Sequence, residues 1–273
     1  MKLWIALCLL CAPAFATDWT AILTNKTATP HPEYQSAMDR LEGPDIPTAQ
    51  AEVAELNTPY QSNPELRSMI GKILYMAVTA RGMQAVPRVD DSLTALQPII
   101  PTLIEHLTDS DSDTRFQVER VFVTMKPGPP AEALNPLISL MYSETDALRN
   151  LSAAIAAVAR YCTAYRSQPA IAVLARAAGP DQSPILRGMV LDAISYDLTL
   201  CNDPALVHTV LAGLRSSAGG VPAAAAHAAM RFDPATTARP LMADLERVAT
   251  TGQGPDAEAA RETLRQLQLQ QQQ

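Results

Sequence analysis

Arginines recur at the starts of predicted apolar helices along this chain, each behind an apolar residue or threonine. They occur in the pairs Leu66-Arg67, Thr114-Arg115, Leu148-Arg149, Leu186-Arg187 and Ala260-Arg261. Arg115, Arg149 and Arg187 follow one another at intervals of 34 and 38 residues. Self-similarity near this period indicates an array of helix pairs, in which each pair buries its apolar face on its neighbours.

A second recurring feature is a capping residue followed by proline. It occurs at Asn63-Pro64, Asn135-Pro136, Ser183-Pro184, Asp203-Pro204 and Asp233-Pro234. The side chain before the proline accepts a hydrogen bond from a free amide at a helix start, and proline is tolerated at the first helical position. These dipeptides therefore predict helix starts and explain how 22 prolines fit a helical protein.

Together these features predict an all-α fold, a right-handed α-solenoid of about six antiparallel helix pairs. Strand signals are nearly absent. The second helices show the clearest apolar stripes, as at Leu151, Ile155, Val158 and Cys162, which are three or four residues apart. The predicted pairs are 47–56 with 64–80, 93–108 with 113–125, 130–142 with 146–163, 169–178 with 184–200, 204–215 with 222–232, and 235–249 with 256–268.

The ends of the chain differ from the middle. Residues 1–16 resemble a signal peptide, with Lys2, an apolar stretch too short to span a bilayer, and an Ala14-Phe15-Ala16 cleavage site. Residues 17–46 are predicted to cap the repeats, with a short helix over 32–42. Residues 47–268 are predicted to form the helical repeats, and the glutamine-rich residues 269–273 are predicted to be disordered. An uncleaved membrane anchor is the alternative for residues 1–16.

The middle of the chain resembles a HEAT repeat. Residues 101–107 correspond to its first helix, 109–115 to its acidic turn and opening arginine, and 118–125 to its second helix. Residues 143–149 repeat the turn and the arginine, and 179–187 do so loosely. Tetratricopeptide or armadillo-type pairs are the alternatives, although the tetratricopeptide pattern of Trp and Tyr is missing.

The resemblance implies an Asp-Arg ladder between adjacent turns. Its members would be Asp113, Asp146 and Asp181 with Arg115, Arg149 and Arg187 or their neighbours. Separately, Cys162 and Cys201 lie about one repeat apart and form a candidate disulfide in an oxidising compartment. Two buried thiols are the alternative.

Motifs for chemistry are not found in the sequence, which predicts no catalytic, metal or cofactor site and no enzymatic activity. His106 and His208 are predicted to be half-exposed and His227 to pack within the fold. A cluster of Arg160, Tyr161, Tyr165 and Arg166 is a candidate protein-binding patch, because Tyr and Arg are favoured interface anchors. Helix-end capping with a solvated rim is the alternative.

The net charge of −7 and the pI near 5.1 argue against nucleic acid or an anionic membrane as the main partner. No segment after the first sixteen residues has about 18 uninterrupted apolar residues, so no membrane span is expected in the mature chain.

The favoured function is a non-enzymatic scaffold that binds a protein or peptide, exported to the periplasm or secreted. The abundance of Ala and Arg hints at a GC-rich bacterial source. The alternatives are an enzyme or enzyme accessory similar to HEAT-like lyases, and a self-associating structural protein of the cell envelope.

Overall fold

A computed structural model describes residues 17–25, 27, 31–83, 92–144, 148–196, 203–232 and 239–271. Within these ranges the regular structure is helical and contains no strand, which confirms the predicted all-α class. Short 3-10 turns lie at His106–Thr108, Ala131–Ala133 and Arg239–Leu241. The α-helices are α1 Trp19–Thr24, α2 Tyr34–Glu42, α3 Ile46–Ser62, α4 Pro64–Met83, α5 Ser92–Ala95, α6 Ile100–Glu105, α7 Ser112–Thr124, α8 Leu134–Ser143, α9 Leu148–Tyr165, α10 Gln168–Ala177, α11 Pro184–Tyr196, α12 Pro204–Leu214, α13 Val221–Ala229, α14 Met242–Thr251 and α15 Gly254–Gln271.

Capping side chains start several helices, as their chemistry predicts. Asp111 accepts a hydrogen bond from the amide of Thr114 at 2.9 Å at the start of α7. Asp203 accepts one from the amide of Ala205 at 2.9 Å at the start of α12. Asn135, in contrast, lies inside α8, because a 3-10 turn starts that helix earlier. Asp233-Pro234 lies outside the described residues.

The prediction of one helix over residues 93–108 is wrong. The structure has the short helices α5 and α6 there, followed by a 3-10 turn. Pro98 lies between α5 and α6, and proline both lacks an amide donor and disfavours helical geometry at the residue before it. Only about one turn therefore forms on the N-terminal side of Pro98, although Leu96 and Ile99 are buried.

The N-terminal part has two helices where the sequence predicted one. Both α1 and α2 pack on α3, and α2 also packs on α4. Trp19 and Leu41 are almost completely buried and belong to the same hydrophobic core as the later helices. This segment therefore covers apolar surface on α3 and α4. The predicted signal segment 1–16 lies outside the described residues.

The longer helices pack in two rows with the core between them. The helices α4, α7, α9, α11, α13 and α15 contact one another in that order and form the second-helix row. The first helices lie beside it: α3 packs on α4, α8 on α9, α10 on α9 and α11, α12 on α13, and α14 on α15. Fully buried side chains between the rows include Ile70, Leu103, Phe122, Leu174 and Val210. The first helices cover one side of the second-helix row and leave its other side exposed.

Gly71 in α4 and Gly188 in α11 provide a matched test of how closely neighbouring helices pack within the second-helix row. A Cβ atom at Gly71 would lie 2.7 Å from the Cβ atom of Gln117 in α7, whereas Gly188 has no neighbour within 4 Å. We expect Gly188→Ala to raise the free energy of unfolding by about 1 kcal/mol, because alanine is the better helix former. For Gly71→Ala, overpacking of about 1–3 kcal/mol opposes the same gain. Urea unfolding of both variants checks this, and equal gains would contradict the close contact of α4 with α7.

Candidate functional site

Aromatic and cationic side chains stack on one another across three helices of the second-helix row. The guanidinium carbon of Arg120 in α7 lies 3.5 Å from the ring centroid of Tyr75 in α4. It also lies 5.5 Å from the ring centroid of Phe116. Arg149 in α9 approaches that same ring to 4.9 Å. These contacts join α4, α7 and α9 through side chains that are partly or largely exposed.

The stacked side chains continue into a cleft of about 420 Å³ between α7, α9 and α11. Val123 is seven residues after Phe116 on α7, and Ser152 and Ala156 are three and seven residues after Arg149 on α9. Each set therefore lies on one helix face. We define the second-helix surface as the stacked residues together with the side chains that line this cleft. Its members are Tyr75, Phe116, Arg120, Val123, Arg149, Ser152, Ala156, Ala159, Arg160, Met189, Asp192 and Ala193.

The charged groups of the second-helix surface are held in place by neighbours. Arg160 donates hydrogen bonds to the carbonyl oxygen of Pro127 at 3.1 Å and to Thr163 at 3.2 Å. Contact with Arg120 lowers the pKa of the Tyr75 hydroxyl. Burial raises the pKa of Asp192 across the cleft. The surface therefore offers guanidinium groups along α7 and α9, aromatic faces at one end, and a carboxyl group on α11 at the other.

A second, larger cleft of about 830 Å³ lies on the opposite side of α9. Its walls are mainly apolar and come from α5, α6, the turn before α8 and the end of α9. Tyr161 and Tyr165 line it, with ring centroids 6.1 Å apart. Tyr161 is 2% exposed and its hydroxyl donates a 2.6 Å hydrogen bond to the carbonyl oxygen of Pro130. Tyr165 remains 44% exposed.

The four residues of the predicted patch therefore do not form one surface. Tyr161 and Tyr165 belong to the larger cleft and Arg160 to the smaller one. Arg166 follows the end of α9 with a left-handed φ of 50° and is exposed. Residues close in sequence at a helix end point in different directions, since each step along a helix rotates the side chain by about 100°.

Ion pairs connect successive turns, with partners that only partly match the predicted ladder. Asp113 pairs with Arg149, 36 residues later. Arg115 pairs with Glu144 and not with an aspartate, donating from Nε to Oε2 at 3.0 Å and from Nη2 to Oε1 at 3.1 Å. The Arg115–Glu144 pair is largely buried, with 17% and 6% of the two side chains exposed, whereas about half of each side chain in the Asp113–Arg149 pair is exposed.

The other predicted members of the ladder are placed differently. Asp146 lies outside the described residues, and Asp181 is exposed. Arg187 is only 6% exposed, and its Nε atom has no hydrogen-bond partner within the described part of the chain. An additional rung that was not predicted joins Arg67 to Asp109 at 3.0 Å.

Glu119 is a buried carboxyl group that the sequence analysis did not single out. It lies on α7 and is completely buried, and neither carboxyl oxygen has a hydrogen-bond partner among the described residues. Burial raises its pKa to about 9, with a smaller contribution from Glu144, against the opposing effect of Arg115 and Arg149. Glu119 is therefore protonated at neutral pH.

His106 is buried, so its predicted half-exposed position is wrong. Its Nδ1 atom lies 3.0 Å from a carboxylate oxygen of Asp109, and its ring packs edge-on against Tyr60 at 5.0 Å. Burial lowers the pKa of His106, and Arg67 adds to this effect. This cluster fills the space between α3 and the turn before α7. The other two described helical histidines, His208 and His227, are exposed, so the packed position predicted for His227 is also wrong.

Cys162 lies in the core near the end of α9, with 4% of its surface exposed. Its sulfur lies 4.0 Å from the carbonyl oxygen of Val158. Cys201, the other half of the candidate disulfide, lies outside the described residues.

Within the described ranges, no group of three or more His, Cys, Asp or Glu side chains is arranged to hold a metal ion. The helices in those ranges are all too short or too polar to cross a bilayer.

The chain matches no protein-family model and no curated protein. Among solved structures, two crystal structures of engineered proteins from the Northeast Structural Genomics Consortium are similar to it. Each is 16% identical with a TM-score of 0.42; one alignment covers 85% of this chain and 97% of that protein, and the other 86% and 96%.

Sequence reasoning missed the stacked side chains because their partners are far apart in the chain. Phe116 and Arg120 are four residues apart on α7, a spacing that places them on one helix face. That spacing was the signal in the sequence that could have identified Phe116 and Arg120 as neighbours. Tyr75 reaches Arg120 only because α4 packs on α7.

Proposed function

We propose that this protein is an exported, non-enzymatic scaffold that holds a protein or peptide against its second-helix surface. One observation supports this most directly. Stacked aromatic and arginine side chains cross α4, α7 and α9 and continue into the cleft beside α11. Tyrosine and arginine are enriched at protein interfaces, and a shallow surface that crosses several helices suits an extended partner.

The architecture proposed with this function is a right-handed HEAT-like solenoid of about six helix pairs. Its support is the order of packing in the second-helix row and the ion pairs that link successive turns. Export to the periplasm or to the exterior of a bacterial cell is supported by the sequence of residues 1–16.

Site-specific photo-crosslinking tests the proposed binding surface. A photoreactive residue replaces Ala156 in the smaller cleft, and matched variants carry it at Ala172 on α10 and at Ala131 beside the larger cleft. In an envelope extract of the native host we expect a defined adduct from Ala156 that is absent from Ala172. Mass spectrometry identifies the partner, and titration with the purified partner measures a micromolar or tighter dissociation constant.

Other patterns of adducts contradict the proposal. Adducts from Ala131 or Ala172 alone would move the binding surface to another part of the molecule. Adducts formed only between two copies of the chain would replace the scaffold with a self-associating protein. Failure of the purified partner to bind would show that the adduct was non-specific.

A further inference from the structure

The second-helix surface concentrates positive charge in an acidic protein. Arg120, Arg149 and Arg160 lie on its α7 and α9 faces, while the whole chain carries a net charge of −7. Asp113 pairs with Arg149, but about half of each side chain is exposed, and exposed pairs contribute little to stability. A new carboxylate can share Arg149 at small cost.

Stacking holds the guanidinium group of Arg120 in place, which favours binding of a carboxylate. The rings of Tyr75 and Phe116 lie near its guanidinium group, at 3.5 Å and 5.5 Å. Its Nη1 atom donates to Gln117 at 3.2 Å, which holds the group from a third side. An arginine that stacks on aromatic faces can use the donors of its fork that are not already engaged to bind carboxylate oxygens, and it loses less side-chain entropy on binding.

The spacing of the helices favours an extended peptide as the occupant. Packed helices lie about 8–10 Å apart, and an extended chain in the polyproline II conformation advances about 3.1 Å per residue with three residues per turn. Carboxylates three residues apart in such a chain lie on one face of it, about 9 Å apart, and therefore match the step from α7 to α9. Asp192 limits the cationic stretch on the side of α11.

We propose that the second-helix surface binds an extended acidic peptide, whose Asp or Glu side chains about three residues apart contact Arg120 on α7 and Arg149 on α9. This inference rests on the proposed scaffold function and specifies the chemistry of its partner. Because charge attraction contributes to binding, affinity decreases as salt screens the surface.

Fluorescence anisotropy with synthetic peptides tests the inference. The probe is a labelled twelve-residue peptide with glutamate at every third position and serine elsewhere; the control peptide has glutamine in place of glutamate. We expect saturable binding of the acidic peptide below about 1 mM and at least about tenfold weaker binding of the control. Binding of both peptides with equal affinity, or of neither, overturns the inference.

Variants of the protein locate the contact. Arg120→Gln is expected to weaken binding of the acidic peptide about tenfold, and Arg120→Lys less strongly because it keeps the charge but loses the fork. Asp192→Asn is expected to strengthen binding about twofold, since it removes a repelling carboxylate. Arg176→Gln, an equal charge change at an exposed position on α10, is the matched control. Thermal melting of each variant verifies that it is folded.

Two outcomes would overturn the assignment even if peptide binds. Equal losses in Arg120→Gln and Arg176→Gln would show attraction to the protein as a whole and not to this surface. Tighter binding of a single-stranded oligonucleotide than of the peptide would assign the stacked side chains to nucleic acid.

The scaffold function is tested separately. A partner that crosslinks from Ala156 but is not displaced by the acidic peptide supports the scaffold function and refutes only the proposal that the partner is acidic. If Ala156 yields no adduct while the peptide still binds, the scaffold proposal fails and the charge preference of the surface stands.

Discussion

Replacing Arg115 by alanine is expected to lower the free energy of unfolding by about 3–5 kcal/mol. Arg115 donates from Nε and Nη2 to the two carboxylate oxygens of Glu144, and from Nη1 to the carbonyl oxygens of Asp109 and Ser110. The substitution leaves Glu144 buried without its cation and the two carbonyl groups without a donor. The buried carboxylate and the carbonyl groups that lose their hydrogen-bond partner account for most of the expected decrease in the free energy of unfolding.

Arg149→Ala is the matched control for Arg115→Ala. Arg149 also pairs with a carboxylate on a neighbouring helix, Asp113 on α7, but that pair is about half exposed. We expect a loss of about 1 kcal/mol or less, because water replaces the lost partner at an exposed pair. Urea unfolding of the two variants measures the difference. Similar losses would contradict the view that burial distinguishes the two ion pairs.

Stability of the wild-type protein is expected to fall with rising pH because of Glu119, and Glu119→Met is expected to remove that dependence. Burial raises the pKa of Glu119 to about 9 in the folded protein, against an ordinary value of 4.5. Its stabilising proton is fully bound in both states below about pH 4.5. Above that value the unfolded chain releases the proton while the folded chain keeps it, so stability declines until the pH passes the folded pKa. The slope is about 1.4 kcal/mol per pH unit, or about 4 kcal/mol between about pH 5 and pH 8.

The measurement is urea unfolding of both proteins at several pH values across this range. Methionine is unbranched, apolar and a good helix former, so it suits the buried position on α7. The difference in stability between Glu119→Met and the wild type should grow as the pH rises. Glu258→Gln, at an exposed position on α15, is the control that leaves the wild-type slope in place. Parallel pH profiles for the wild type and Glu119→Met would show that Glu119 does not keep its proton in the folded state.

Much of the helical framework could be predicted because its signals are local. The apolar stripe through Leu151, Ile155 and Val158 predicted the helix that became α9, within two residues at each end. Asp111 and Asp203 cap helices through amides only two or three residues away. The failure at α5 and α6 also has a local cause, since Pro98 interrupts a segment whose apolar pattern alone favoured one helix.

Individual residues of the candidate site could be predicted from the sequence, but their arrangement in space could not. Arg160, Tyr161 and Tyr165 were singled out as interface residues, but the two tyrosines line one cleft and Arg160 lines another. Arg115 was expected to pair with an aspartate, yet Glu144 at the end of α8 reaches it. Which of several nearby acids meets an arginine depends on differences of a few ångströms between helix ends.

The sequence by itself determined the helical class and the start of many helices in this protein, because caps, prolines and apolar periodicity act within one or two turns. The tertiary structure alone decided that Tyr75 stacks on Arg120, that His106 is buried, and that Glu119 loses contact with water. Each of these outcomes joins side chains on different helices, and their contact energies exist only once the rows have packed.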